Sequence, residues 1–216
     1  MNVQSKGQIW KAIQKFKLFA MNTSAAEWEE LYRTLAISDL PWESGKPSPT
    51  LVRLVESGSI RGRVLDVGCG SGTQAVWMAE RGLEVTGVDI SKTAIVRARE
   101  LAAAHAIAVD FRVADARRLP FTDAMFDSVF DRGVFHHQER RKASYAKEIA
   151  RVLKGGGTYL LLTFSPRMRW PKSVSENEIK KNFGEIFNLE SVGEETHVQP
   201  DARKVTLASY LLKKYD

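Results

Sequence analysis

Cysteine, histidine and long apolar runs are scarce in this 216-residue sequence. The single cysteine, Cys69, excludes an internal disulfide and is typical of a reducing compartment. The four histidines show no HxxxH spacing and there is no CxxC pair, so the pattern predicts no metal site. No apolar run approaches the roughly 20 residues that a membrane-spanning helix requires. We therefore expect a cytoplasmic protein with neither a metal nor a transmembrane segment.

Acidic residues are missing from the first 26 positions, which carry four lysines. Residues 9–20 are predicted to form an amphipathic helix, because Ile9, Ile13 and Phe16 share one face. Such a basic helix is compatible with a lid over the domain, with a segment on a membrane surface, and with a targeting or disordered segment. The net charge of +6 is not clustered as in a nucleic-acid-binding surface, so we expect no stable nucleic-acid partner.

The stretch from Val64 to Gly72 predicts a strand, a tight glycine turn and the start of a helix. Its glycines allow positive φ and a close approach of a ligand to the backbone. The third glycine comes one residue too early for the dinucleotide pattern G-x-G-x-x-G. In addition, the carboxylate of Asp66 would repel a pyrophosphate but suits an ammonium group. The turn therefore favours a ligand with an amino-acid head group over a dinucleotide.

A second predicted strand, Glu84–Asp89, ends in an acid about 20 residues after the turn. Asp89 is well placed there to accept hydrogen bonds from both hydroxyl groups of a ribose. A ligand with an amino-acid end and a nucleoside end fits both features.

Four motifs in this order resemble those of the class I S-adenosylmethionine (SAM)-dependent methyltransferases. They are the turn Asp66–Gly72, the acidic strand Val85–Asp89, the segment Val113–Ala116 and the strand Phe126–Asp131. The resemblance covers roughly Trp28 to the C-terminus and implies SAM as the cofactor. It also implies a set of cofactor-binding residues at the strand ends and in the loops, namely Trp42, Asp66, Gly68, Cys69, Gly70, Asp89, Ile90, Asp115, Ala116, Asp131 and Arg132.

Two of these residues have alternative interpretations. For Asp115 the resemblance implies a contact with the adenine, whereas a plain Asx turn is the alternative. Cys69 has no paired histidine within the turn, so we interpret it as a small turn residue rather than a nucleophile. Arg117 and Arg118, just after Asp115, are expected to be solvated.

Residues 40–49 form a proline-rich segment that cannot be helical throughout. This segment resembles the W-[DE]-x-G-x-P-x-P entry of small-molecule methyltransferases of the thiopurine, tellurite-resistance and halide/thiol type. The resemblance implies that Trp42 closes the cofactor pocket. The alternative is a tryptophan buried within an N-terminal cap.

Strand and helix patterns alternate regularly in the rest of the chain, which predicts an α/β fold with right-handed crossovers and a parallel sheet. The resemblance implies a single Rossmann-like methyltransferase domain over residues 49–216, preceded by an N-terminal helical cap or lid over residues 1–48. Its sheet is expected to be seven-stranded and mostly parallel, with one antiparallel edge strand and helices on both faces. The predicted strands are 63–67, 84–89, 108–113, 126–131, 158–164, 189–197 and 204–213, and the main predicted helices are 25–37, 73–81, 92–104, 139–153 and 175–187.

The predicted fourth strand is followed by His136 and His137, where many relatives place catalytic residues. The [DNS]-P-P-[YFW] run of amine- and amide-methylating enzymes and the Pro-Cys pair of cytosine-C5 enzymes are both missing. Either histidine could accept a proton from a thiol, phenol or amine, because an imidazole titrates near neutrality. Packing or capping is the alternative. In a later insertion, Met168 and Trp170 are candidates either for an apolar substrate pocket or for packing over the core.

Three functional classes remain open. The favoured one is methyl transfer from SAM to a small-molecule acceptor with a sulfur, oxygen, nitrogen or halide nucleophile. A sulfonium methyl group is already activated, so the protein need only align the nucleophile for in-line displacement in a closed pocket. The second class is methylation of RNA or protein. The third is cofactor binding without chemistry, or a nucleotide-dependent oxidoreductase.

Overall fold

A seven-stranded sheet forms the centre of the computed structural model, which describes residues 23–199 and 203–216. The strands are β1 Arg63–Val67, β2 Glu84–Asp89, β3 Asp110–Val113, β4 Phe126–Arg132, β5 Leu153–Phe164, β6 Phe187–Val198 and β7 Lys204–Lys214. They lie in the order β3-β2-β1-β4-β5-β7-β6. The neighbours from β3 to β5 are parallel, and β7 is antiparallel to both β5 and β6. The predicted α/β sheet is confirmed, with its one antiparallel strand in the outer hairpin and β6 at the edge itself.

Six α-helices surround the sheet within the described residues: α1 Ala25–Thr34, α2 Pro49–Glu56, α3 Thr73–Ala79, α4 Lys92–Ala104, α5 Lys142–Val152 and α6 Glu176–Phe183. Four of them begin after a serine whose hydroxyl accepts a backbone N–H of the first turn, at Ser24, Ser48, Ser91 and Ser175. In this part of the chain, none of the helices is both long enough and apolar enough to cross a bilayer.

Both faces of the sheet are covered by apolar side chains. Along β1, Leu65 and Val67 belong to one buried cluster and Val64 to the cluster on the opposite face. On β4, Val129 and Phe130 alternate in the same way. Since successive residues of a strand point to opposite faces, a strand buried on both sides needs a continuous apolar run. The polar residues at the strand ends therefore stand out from this background.

Several predicted boundaries are wrong: the helices predicted to end at 187 and 37 end at Phe183 and Thr34. Two further errors have local reasons. β5 begins at Leu153 rather than at position 158, because Leu153 already pairs with Phe126 of β4 and residues 154–157 form a bulge before regular pairing continues at Thr158. Gly156 has a φ of +62° there, which glycine adopts without strain. The helix predicted from position 139 begins at Lys142, since residues 139–141 form a 3-10 turn.

Residues 23–48 lie over the carboxyl ends of the central strands. The carboxylate of Glu29 on α1 accepts hydrogen bonds from Ser91 Oγ at 2.7 Å and from Thr93 Oγ1 at 2.6 Å, at the start of α4. These bonds lower the pKa of Glu29 to about 2, with the Thr93 hydroxyl as the largest cause. The helix predicted over residues 9–20 lies outside the described residues, and the division of the chain after position 48 stays a prediction.

Candidate active site

Three glycines shape the turn between β1 and α3. Gly68, Gly70 and Gly72 have φ values of +69°, +54° and +87°, all in the left-handed region. A Cβ at position 68 would lie 2.2 Å from Val134 Cγ2, and one at position 70 would lie 2.7 Å from the Tyr32 hydroxyl oxygen. Backbone conformation and close neighbours therefore both require glycine at these two positions.

The amide groups of this turn are used within the protein. The N–H groups of Gly68 and Cys69 donate to the Val88 carbonyl at 2.8 and 2.9 Å, and Gly70 N–H donates to Asp89 Oδ2 at 3.0 Å. The turn thus offers a ligand close approach to its backbone rather than these three donors. Burial raises the pKa of the Cys69 thiol, which fits a small turn residue better than a nucleophile.

Asp66, near the end of β1, carries an unsatisfied buried oxygen. The residue is 2% exposed, and its Oδ2 has no hydrogen-bond partner. Burial, followed by the nearby charges of Asp89 and Asp131, raises the pKa of Asp66 to about 8. A cation at this position would supply the missing partner and stabilise the carboxylate. The site therefore fits the ammonium group of an amino-acid head.

Asp89, at the end of β2, connects this strand to the glycine turn. Its Oδ2 accepts from Gly70 N–H and its Oδ1 accepts from Ser91 N–H at 2.9 Å. Burial raises the pKa of Asp89 to about 6, although these N–H groups act in the opposite direction. Each carboxylate oxygen retains a lone pair beyond the bond shown, so Asp89 can also accept from a diol. Ile90, the next residue, is half-buried.

Asp115 lies in the loop after β3, beside the end of β2, because Ala114 N–H donates to the Asp89 carbonyl at 2.9 Å. Its Oδ1 accepts from Arg117 N–H at 2.9 Å, which is the Asx turn considered from the sequence. Arg117 is exposed, as expected, and also pairs with this carboxylate through Nε at 2.9 and 3.0 Å, which lowers the pKa of Asp115. Ala116 is half-buried against the core. The adenine contact of this loop stays a prediction.

Asp131 lies near the end of β4. Its carboxylate is 0% exposed and accepts four hydrogen bonds, from Val134 N–H at 2.7 Å, Phe135 N–H at 3.1 Å, Tyr145 Oη at 2.7 Å and Tyr159 Oη at 3.0 Å. Both oxygens are therefore engaged by the protein. The side chain holds the loop after β4 in place, and the direct cofactor contact expected from the sequence stays a prediction.

Arg132 connects the end of β4 to the Trp42 loop. Its Nη1 donates to the Trp42 carbonyl at 2.7 Å, while its Nε is buried without a partner. Burial lowers the pKa of Arg132, and the charges of Glu195, Glu43 and Asp66 act against that shift. An unpartnered donor on Arg132 near an unpartnered acceptor on Asp66 matches the two charges of a zwitterionic amino-acid group.

Six aromatic rings form a continuous row, the aromatic wall, made of Trp42, Trp28, His137, His136, Phe164 and Trp170. Neighbouring ring centroids along it are 4.1 to 5.4 Å apart. The wall runs from the N-terminal cap through the loop after β4 to the insertion after β5. It also adjoins the glycine turn, because Trp42 Nε1 donates to the Tyr32 hydroxyl at 3.0 Å.

The two candidate catalytic histidines both lie in the aromatic wall and are neutral. His136 is buried, with Nδ1 3.0 Å from Thr163 Oγ1, and burial lowers its pKa well below the usual value. His137 Nδ1 lies 2.9 Å from Nζ of Lys172, and burial followed by the charge of Lys172 lowers the pKa of His137 to about 3. Lys172 was missed by the sequence reasoning, since no local pattern connects it to His137.

Met168, the other candidate of the insertion besides Trp170, packs against β7, where its Sδ accepts from Thr206 N–H at 3.4 Å.

Comparisons with known proteins identify the family. A family model described as a methyltransferase domain matches residues 65–161. The 2-heptyl-1-hydroxyquinolin-4(1H)-one methyltransferase of Mycobacteroides abscessus is 32% identical over 176 residues, which cover 76% of this chain and 78% of that protein. The chain belongs to the class I SAM-dependent methyltransferases. A probable thiol methyltransferase of Arabidopsis thaliana is also similar to this methyltransferase, at 34% identity over 76% of this chain and 74% of that protein.

Solved structures agree with this assignment. A structure described as showing the conversion of a disulfide bond into a thioacetal group during echinomycin biosynthesis superposes with a TM-score of 0.80 at 29% identity, covering 88% of this chain and 92% of that one. SAM is therefore the methyl donor of this methyltransferase, and its acceptors are small molecules. Within the described residues, no three His, Cys, Asp or Glu side chains are grouped so as to hold a metal ion.

Proposed function

We propose that this methyltransferase transfers the methyl group of SAM to a sulfur or oxygen nucleophile on a planar, largely apolar small molecule. The observation that carries the proposal is the aromatic wall, whose rings lie beside the glycine turn and the loop after β4. Flat apolar surfaces of this kind stack on aromatic ligands and exclude water. The names of two relatives support the proposal, since one is a hydroxyquinolone methyltransferase and the other a probable thiol methyltransferase.

The cofactor end of the site is assigned to residues whose geometry fits each part of SAM. Asp66 would face the ammonium group with its unpartnered oxygen, and Arg132 would face the carboxylate with its unpartnered Nε. Asp89 would accept from the ribose hydroxyls, and the Asp115–Ala116 loop would border the adenine. The bound cofactor supplies an electrophilic methyl group on a sulfonium centre. What the chain itself contributes is orientation of the acceptor and removal of water.

The acceptor end is formed where the cap meets the sheet. Trp28 on α1 packs against Trp42 of the following loop and against His137. His136, Phe164 and Trp170 extend this surface. An acceptor stacked here would meet a water-poor surface. Such a surface favours in-line displacement because it strips the solvation shell from the nucleophile.

The experiment that tests this proposal is methyl transfer from isotopically labelled SAM to a panel of acceptors. The panel contains aromatic thiols, phenols, N-hydroxy heterocycles, amines, halides, RNA and denatured protein. We expect label in the thiols or in the oxygen acceptors, and we expect Asp89→Ala to abolish it at low SAM concentration. Label found only in RNA or protein would contradict the proposal.

A further inference from the structure

A carboxylate from the N-terminal cap completes the first turn of helix α4. Glu29, on α1, accepts hydrogen bonds from Ser91 Oγ at 2.7 Å, from Thr93 N–H at 3.1 Å and from Thr93 Oγ1 at 2.6 Å. Ser91 is the N-cap of α4, and its hydroxyl oxygen accepts in turn from Ala94 N–H at 3.0 Å. The first N–H groups of a helix have no partner within the helix and favour negative charge. Glu29 therefore serves as a second cap of α4 that another helix supplies.

The same turn holds the acid that ends β2. Ser91 is 0% exposed, and its N–H donates to Asp89 Oδ1 at 2.9 Å. The other oxygen of Asp89 accepts from Gly70 N–H at 3.0 Å. Because both bonds fix the plane of this carboxylate, the position of Ser91 decides where the remaining lone pairs of Asp89 point. A continuous chain of hydrogen bonds thus runs from Glu29 through Ser91 and Asp89 to the glycine turn.

Glu29 makes its contacts as a charged group. The Thr93 hydroxyl, followed by the Ser91 hydroxyl, lowers the pKa of Glu29 to about 2, so the side chain is ionised at neutral pH. Hydrogen bonds to an ionised acceptor are shorter and stronger than those between neutral groups. The charge of Glu29 therefore strengthens its hold on the start of α4.

A second contact between α1 and α4 provides a comparison. Arg97, one helical turn after Thr93 on α4, donates from Nη2 to the Leu35 carbonyl at 2.9 Å. Leu35 is the C-cap of α1. This contact fastens the far end of α1 to α4 without using Ser91. Docking of the cap and positioning of Asp89 can therefore be tested separately.

Resting on the proposed function, which assigns the ribose of SAM to Asp89, we propose that Glu29 is a positioning residue for the cofactor. By completing the first turn of α4 it fixes Ser91, and through Ser91 it holds the Asp89 carboxylate in the orientation that accepts from both ribose hydroxyls. Its contribution to affinity then depends on those hydroxyls. Because coupling between two sites is reciprocal, a bound ribose also stabilises the docked cap.

The first test compares two ligands by calorimetry, S-adenosylhomocysteine and its analogue with a 2′,3′-dideoxyribose. We expect Glu29→Ala to weaken binding of S-adenosylhomocysteine about fivefold or more, and binding of the dideoxy analogue less than about twofold. Glu29→Gln, which keeps one acceptor oxygen, should show the same selectivity with a smaller loss. A role in stability alone would weaken binding of both ligands by the same factor. That result, or unchanged affinity for both, would overturn the inference.

Two control variants accompany this test. Glu30→Gln removes a half-exposed carboxylate of the same helix, which pairs with Arg33, and should bind both ligands as the wild type does. Arg97→Met removes the second contact of α1 and should lower the melting temperature, but the ratio of the two affinities should stay within about twofold of the wild type. If Arg97→Met changed that ratio as much as Glu29→Ala, the effect would belong to docking of the cap in general, and the inference would be refuted.

The second test measures the reciprocal effect by hydrogen exchange of the backbone amides of α1. S-adenosylhomocysteine should slow this exchange in the wild type and in Glu30→Gln, and should slow it less in Glu29→Ala. Thr93→Val, which removes one of the three donors and keeps the shape of the side chain, should give an intermediate result. It carries the same test where Glu29→Ala does not fold. Equal slowing in the wild type and both variants would contradict the inference.

The two proposals fail in different ways. If the wild type prefers S-adenosylhomocysteine to the dideoxy analogue and Glu29→Ala keeps that preference in full, the ribose assignment stands and the role of Glu29 is refuted. If the wild type binds both ligands equally, or Asp89→Ala retains the preference, the assignment of Asp89 under the proposed function fails, and the role of Glu29 fails with it. The acceptor class is decided separately, by transfer of label from SAM to the acceptor panel.

Discussion

The hydroxyl of Tyr32 accepts a 3.0 Å hydrogen bond from the indole N–H of Trp42 and occupies the space beside Gly70, 2.7 Å from where a Cβ would be. One oxygen atom therefore connects helix α1, the proline-rich loop and the glycine turn. Tyr32 is 3% exposed, so this junction is closed to solvent. The cap therefore packs directly against the glycine turn, and the energetic coupling between Tyr32 and Gly70 can be measured.

Gly70→Ala should weaken binding of S-adenosylhomocysteine by about tenfold or more, because it combines a strained φ with a clash against Tyr32. Tyr32→Phe alone should weaken binding of S-adenosylhomocysteine by about 0.5–1.5 kcal/mol, the contribution of one hydrogen bond. The double variant should recover part of the Gly70→Ala loss, since the clashing oxygen is gone. Calorimetry of all three gives the coupling, and strictly additive losses would argue against the contact.

Asp66 should release a proton when the cofactor binds. Its pKa of about 8 means that the carboxyl group is largely protonated at neutral pH in the free protein, and an ammonium group beside it lowers that pKa. Binding of S-adenosylhomocysteine at neutral pH should therefore release about one proton. Calorimetry in buffers of different ionisation enthalpy measures this number, and Asp66→Asn should reduce it to nearly zero. A wild type that binds without any proton release would refute the assigned role.

Asp66→Asn should also change the stability of the protein in a pH-dependent way. Because the pKa of Asp66 rises from 3.8 to about 8 on folding, the folded protein keeps a proton that the unfolded chain has lost in this range. The stability that the protonated Asp66 contributes is thus lost progressively as the pH rises from the lower to the upper value. The free energy of unfolding of Asp66→Asn, relative to wild type, should increase over that interval in urea titrations. A constant difference would show that Asp66 ionises normally.

Asp89→Ala should weaken cofactor binding by a few kcal/mol, because each hydrogen bond from a ribose hydroxyl to the carboxylate contributes about 1.5–3 kcal/mol. Thermal stability should also fall, since Gly70 N–H and Ser91 N–H lose their acceptor. Asp110→Ala is the control, as Asp110 is exposed at the start of β3 and pairs with Arg112. Unchanged affinity by calorimetry would contradict the ribose assignment.

Asp131→Asn should lower the free energy of unfolding more than it lowers the affinity for the cofactor. The four donors that converge on Asp131 would meet an amide with only one acceptor oxygen, and we expect a loss of about 2–4 kcal/mol in the free energy of unfolding. Tyr159→Phe, which removes one of the four donors, should lower the free energy of unfolding by less. Affinity for S-adenosylhomocysteine in the folded variant should stay within about threefold of wild type. A large loss of affinity with unchanged stability would instead support Asp131 as a direct ligand.

The order of the strands and helices and the position of the glycine turn followed from the sequence alone. Apolar periodicity, serine caps and glycine spacing are local signals, each readable within a few residues. The carboxyl ends of parallel strands meet at one edge, so the strand pattern also places Asp66 and Asp89 near each other. The error at the start of β5 also has a local cause. The glycine-rich residues 154–157 indicate a turn in the sequence but form a bulge within the strand.

Only the tertiary structure decided which of these side chains remain available to a ligand. Asp66 and Asp131 look equivalent in the sequence, yet Asp66 keeps an unpartnered oxygen while Asp131 is occupied by tyrosines 14 and 28 residues away. In the same way, Lys172 meets His137 across 35 residues. Partners at such separations are set by how helices and loops pack against the sheet. That packing depends on the whole chain, and no short pattern encodes it.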